Sequence, residues 1–89
     1  MNITVKANFG VTERQLNTQS TTLGQLLDEL STEYGGSTGI ADIKSKDVNH
    51  YFLVLLNGQT WNVLANGLDT ELKEGDTVAV WGTFLLAGG

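Results

Sequence analysis

Phe84-Leu85-Leu86-Ala87-Gly88-Gly89 closes the sequence, running apolar and then losing all side chain. Natural termini are usually polar and frayed. With 11 glycines among 89 residues, two terminal glycines arise by chance in roughly 1.5% of such chains. There is a chemical reason to place glycine here. An active site that acts on a main-chain carboxylate must let the backbone thread a narrow channel. Residues without Cβ fit where others clash and adopt dihedrals that others avoid. A free carboxylate is a poor electrophile. Adenylyl transfer from ATP makes it an acyl-adenylate with a good leaving group, open to attack by sulfur or an amine. Gly89 is therefore the expected reacting residue and Gly88 the one that gives access.

No other residues compete well for a chemical role. The chain has no cysteine, which excludes disulfides, thiolate metal sites and a side-chain sulfur nucleophile. His50 is the single histidine, so a multi-histidine metal site is excluded. No Gly-rich phosphate loop carries a lysine, and no Cys/His or Ser/His/Asp spacing supports nucleophilic catalysis. Asp42, Asp47 and His50 could approach one another, but solvated loop residues are the simpler reading. Asp69, Glu71, Glu74 and Asp76 sit around turns, where acidic residues serve turn chemistry and solubility; an acidic docking patch is the other reading. The expectation is a protein that is not itself an enzyme, with no catalytic side chain and no permanently bound cofactor. ATP would be used by an activating partner.

Net charge is −5. A polyphosphate is repelled by it, so nucleic acid is not an expected partner. A basic protein surface would be attracted, although modest charge also serves simple solubility. Met1-Asn2-Ile3-Thr4-Val5-Lys6 lacks the pattern of a secretory signal. The longest apolar run, Tyr51 to Leu56, is too short to span a bilayer. A cytoplasmic location and no membrane partner are expected.

These residues must be positioned by one domain, since 89 residues suffice for about one layer of helix on one sheet. Ile3, Val5 and Ala7 alternate with Thr4, Lys6 and Asn8, the period of a half-buried strand. Phe9-Gly10 breaks it, and Glu13 to Gln19 returns with Leu16 as its core residue. Leu23, Leu26, Leu27, Leu30 and Tyr34 share one helical face. Thr22-Leu23-Gly24-Gln25 fits a capping box at the start, and Gly35-Gly36 supplies the stop. Gly24 costs roughly 1 kcal/mol in a helix against alanine, and close approach of a strand would explain it. Gly35 to His50 has no strong period; Ile40 and Ile43 could anchor one turn of helix, and the segment is the best candidate for mobility. Tyr51 to Leu56 reads as a strand central in its sheet or buried on both faces. Asn57-Gly58 is a hairpin turn, with return over Gln59 to Val63. Asn66-Gly67 and Lys73-Glu74-Gly75-Asp76 are further turns, and Thr77 to Trp81 is the final strand. Trp61 reads as packing. Trp81 fits either a core position or an exposed anchor.

Strand, strand, helix, strand, short strand, strand is the order of a β-grasp fold: an α+β domain with a mixed sheet of about four to five strands and one main helix on one face. The fold type implies that first and last strands pair in parallel at the centre. The expected division is a domain over 1–84 and a flexible tail over 85–89.

Val54-Leu55-Leu56-Asn57-Gly58, Gly67 to Leu72, Glu74-Gly75-Asp76-Thr77-Val78 and Ala87-Gly88-Gly89, with weaker support from Phe9-Gly10 and Glu13-Arg14, resemble the ubiquitin-like sulfur carriers. That family includes the small subunit of molybdopterin synthase and the thiamine-pathway carrier, and the likeness covers nearly the whole chain. The resemblance implies adenylation of Gly89 by an E1-like enzyme and conversion to a thiocarboxylate. That group would deliver sulfur in cofactor biosynthesis, to an acceptor such as the molybdopterin synthase large subunit. Trp81, Phe84, Leu85 and Leu86 would meet the partner. Two other roles stay open: a modifier joined to lysines through Gly89, and a β-grasp binding module whose glycine tail is incidental. The chain departs from the family at Trp81-Gly82-Thr83-Phe84, where a Phe-Pro-Pro-like segment is usual; it contains no proline.

Overall fold

The computed structural model describes residues 1–8, 12–33, 40–42, 47–48 and 52–82. Strand β1 (Asn2–Ala7) and strand β2 (Glu13–Asn17) form an antiparallel pair; helix α1 covers Leu23–Glu33. Short strands β3 (Ala41–Asp42) and β4 (Asp47–Val48) pair as a separate ribbon. Strand β5 (Phe52–Leu56) turns into β6 (Gln59–Thr60), and β7 (Thr77–Gly82) closes the architecture. The main sheet has the order β2-β1-β7-β5-β6. The first and last strands lie side by side in parallel, from Thr4↔Thr77 to Ala7↔Val80, as the fold type implies.

Alternation decides what each strand buries. Ile3 and Val5 of β1, Val54 of β5, and Val78 and Val80 of β7 point to the helix side and are almost wholly buried. Leu23, Leu26, Leu27 and Leu30 meet them from α1, all fully buried. Each such side chain contributes about 1.5–3 kcal/mol relative to exposure. Leu16 of β2 is half-buried and packs on the edge of this core. Tyr34 and Gly35-Gly36, expected to end the helix, lie outside the described residues.

The helix start differs from the expected box in one bond. Gln25 N–H donates to Thr22 Oγ1 at 3.3 Å, as a cap requires. The Gln25 side-chain oxygen, however, accepts from Thr21 N–H at 2.9 Å and from the Thr21 hydroxyl at 3.1 Å. It reaches one residue further back because Thr22 is drawn into a bridge with Glu71, flanked by Leu23 N–H to Thr70 O and Leu72 N–H to Thr21 O.

The close approach at Gly24 is real, but its neighbour is not a strand. It is a single turn of 3-10 helix, Gly67–Asp69. A Cβ on Gly24 would stand 3.1 Å from the Leu68 carbonyl oxygen and 3.3 Å from its Cβ. Backbone cannot swing aside, so Gly24→Val is expected to cost about 1–3 kcal/mol through overpacking. A urea midpoint equal to the wild type's would contradict this.

Two further expectations are corrected, and for a third, β5, one of its two readings is chosen. Residues after Ile40 form strand β3, not a turn of helix; Ile40 is buried and its N–H donates to Ser31 Oγ at 2.7 Å, an anchor that suits extended chain. Ile43 lies outside the described residues. Strand β5 is interior to its sheet but not buried on both faces: Leu53 is 41% exposed, because α1 covers only one side. The return after Asn57-Gly58 is a strand for two residues only, then a 3-10 turn at Trp61–Val63. The hairpin itself is as expected, with φ of 51° at Asn57 and 86° at Gly58, the two positive values of a type I′ turn.

Candidate functional site

Among the acidic residues, Asp76 serves turn chemistry, while Glu74 bonds across to the start of β1. Asp76 accepts from Asn57 Nδ2 at 3.0 Å and from Lys73 N–H at 2.8 Å. Asn57 Oδ1 in turn accepts from Thr77 N–H at 2.9 Å, which ties the hairpin to the start of β7. Both Glu74 oxygens lie 3.1 Å from Asn2 N–H, and Gly75 N–H donates to Asn2 O at 2.8 Å. This network seats the N-terminal ends of β1 and β7 together. Asp47 bonds locally, accepting from Val48 N–H at 2.9 Å. His50 lies outside the described residues, so its approach to Asp42 and Asp47 is not in view. Among the described residues no three His, Cys, Asp or Glu groups could hold a metal ion. No described helix is long and apolar enough to cross a membrane.

The opposite end of β7 is built differently. The open face of the sheet carries Leu53 and Leu55 from β5, and Ala79 and Trp81 from β7, paired as Leu53↔Trp81 and Leu55↔Ala79. Trp81 is half-buried, between the core and anchor readings of its sequence position. Its strand neighbours Val80 and Gly82 are buried, so alternation puts it on the side away from α1. Next to Ala79 stands Lys6 of β1, whose Nζ lies 3.9 Å from Glu13 Oε1. That exposed pair adds little stability and gives the apolar patch a charged rim.

Strand β7 ends at Gly82, held from two sides. Across the sheet it pairs with Phe52. On the β1 side the Asn8 side chain takes both its backbone groups: Asn8 Nδ2 donates to Gly82 O at 3.1 Å, and Gly82 N–H donates to Asn8 Oδ1 at 2.7 Å.

Of the residues expected to form the working end, Trp81 lies among the described residues, in β7. Phe84, Leu85, Leu86, Gly88 and Gly89, with the expected boundary between 84 and 85, lie outside the described residues. Trp61 is half-buried against the core, as a packing residue, with its ring over Gly67. The sequence reading passed over Leu53 and Asn8. A strict period-two count through Tyr51 to Leu56 separates Leu53 and Leu55 from Val54 and Leu56. No local signal pairs residue 8 with residue 82.

A five-stranded mixed sheet with central parallel β1 and β7, crossed by one helix, defines a β-grasp protein of the ubiquitin-like class. The chain belongs to the ThiS family, whose model matches residues 4–80. The family of sulfur carriers and modifiers suggested by the motifs is thus the one to which the chain belongs. Solved structures agree. Urm1 from Trypanosoma brucei superposes with a TM-score of 0.66 at 27% identity, over 92% of this chain and 91% of that one. The Haloferax volcanii HVO 2177 protein gives a TM-score of 0.71 at 25% identity, over 93% and 83%. A chain of the Amycolatopsis orientalis BexX/CysO complex gives 0.63 at 18% identity, over 90% and 93%, a likeness of fold. No curated protein matches the sequence.

Proposed function

We propose that this chain is a cytoplasmic sulfur carrier whose Gly89 carboxylate is the reacting group. An E1-like enzyme binds ATP, and a Gly89 oxygen attacks the α-phosphorus. The bond to pyrophosphate breaks, leaving a glycyl-adenylate. Hydrosulfide then attacks the acyl carbon; a C–S bond forms, AMP leaves and Gly89 carries a thiocarboxylate. The proposed recipient is a molybdopterin synthase large subunit, to which sulfur is given for cofactor biosynthesis. In both encounters Trp81, with Phe84, Leu85 and Leu86, forms the apolar contact.

The observation that carries this reading is the ThiS-family match over residues 4–80, with Gly88-Gly89 following beyond it. Leu53, 41% exposed beside half-buried Trp81, supports the contact surface, since half-exposed aromatics are frequent binding anchors.

Co-expression with the activating enzyme of the same genome and a sulfur source tests it. Intact mass should show one oxygen replaced by sulfur, and deleting Gly89 should remove the change. A ladder of lysine conjugates would instead make the chain a protein modifier. An unchanged mass beside a demonstrably active enzyme would sink the carrier reading.

A further inference from the structure

The backbone ladder between β1 and β7 stops at Ala7↔Val80. One residue later the pairing resumes through a side chain. A primary amide offers the same donor and acceptor as a peptide unit, and Asn8 spends both on Gly82. With Phe52 paired on the other side, the last residue of β7 is held as though it were interior to a longer sheet. Gly82 is buried, so these bonds are partly shielded from water. Proline would stiffen this stretch by restricting φ, and the chain has no proline.

We infer that Asn8 is a positioning residue for the reacting end: it fixes Gly82, the residue from which the chain continues toward Gly89. This rests on the function proposed above. From a fixed Gly82, seven residues reach at most about 25 Å, so the place of departure limits where the Gly89 carboxylate can arrive. If Gly82 frays, the activating enzyme must order it anew at each encounter. Fixing one residue's backbone is worth about a tenfold change in an equilibrium. That loss falls on binding, before the chemical step, and so on KM rather than kcat.

The test uses the full chain and ATP–pyrophosphate exchange with the activating enzyme, well below the melting temperature. Asn8→Ala should raise the KM for the carrier about tenfold and leave kcat within a factor of about two. Amide hydrogen exchange should speed up at Gly82 and stay unchanged at Val78 and Val80, a pattern that general destabilisation does not produce. Asn8→Asp keeps an acceptor for Gly82 N–H but loses the donor, and should fall between wild type and Asn8→Ala on both readouts. Faster exchange at Gly82 with an unchanged KM would overturn the positioning role. So would a raised KM accompanied by equal loss of protection along all of β7. A wild-type chain never adenylated at Gly89 by an active enzyme would overturn the functional reading, and this inference with it.

Discussion

Gly88→Val is expected to melt with the wild type and to be adenylated about 10²-fold more slowly, or not at all. The stability half follows from the residue type: glycine has no side chain to withdraw from a packed core. The activity half follows from the proposed chemistry. The Gly89 oxygen must lie in line with the α-phosphorus, in a channel that admits bare backbone. A branched side chain adjacent to the reacting residue removes dihedrals that glycine allows and displaces the carboxylate. A misplacement of about 1 Å is enough for a loss of about 10²-fold. ATP–pyrophosphate exchange measures the rate and a thermal melt measures the fold. An exchange rate equal to wild type would remove Gly88 from the mechanism.

Leu27→Ala carries the other large effect, on stability alone. Leu27 is fully buried in the middle of the helical face that meets Ile3, Val5, Val54, Val78 and Val80. Deleting a leucine side chain from such a site costs about 2–5 kcal/mol, because transfer and cavity terms add. A domain of this size holds about 5–10 kcal/mol in all, so the urea midpoint should fall by about a fifth or more. Leu53→Ala makes the contrast. The side chain is equally apolar but 41% exposed on the open face, and it should cost less than about 1 kcal/mol. Equal midpoints for the two variants would mean that the sheet has a second covered face.

That contrast also shows what the sequence could and could not tell. Helix α1 was legible because four leucines at helical spacing have one physical explanation, an amphipathic face. Strand β1 was legible for the same reason at period two. Strand β5 was harder. Its run of apolar residues signals a buried interior strand, yet Leu53 and Leu55 face away from α1. An open apolar face and a covered one read alike along the chain. The segment around Ile40 misled differently: the residue is an anchor, as expected, but one buried isoleucine does not choose between helix and strand. The bond from its N–H to Ser31 and the pairing of Ala41 with Val48 made that choice, and both are tertiary. The Asn8 contact was out of reach altogether, since its two partners stand at opposite ends of the sequence.

The parallel union of β1 and β7 governs how the molecule bears force. A pull that draws Met1 one way and Gly82 the other runs along the two strands in opposite senses. It loads their ladder in shear. The four registered pairs from Thr4↔Thr77 to Ala7↔Val80 then share the load, instead of opening one after another as in a peeled hairpin. Resistance to forced unfolding is set by the unfolding barrier rather than by equilibrium stability, and simultaneous rupture raises that barrier. The sheet is thereby a stiff grip on β7: tension applied at Gly82 reaches the centre of the sheet before it reaches any edge.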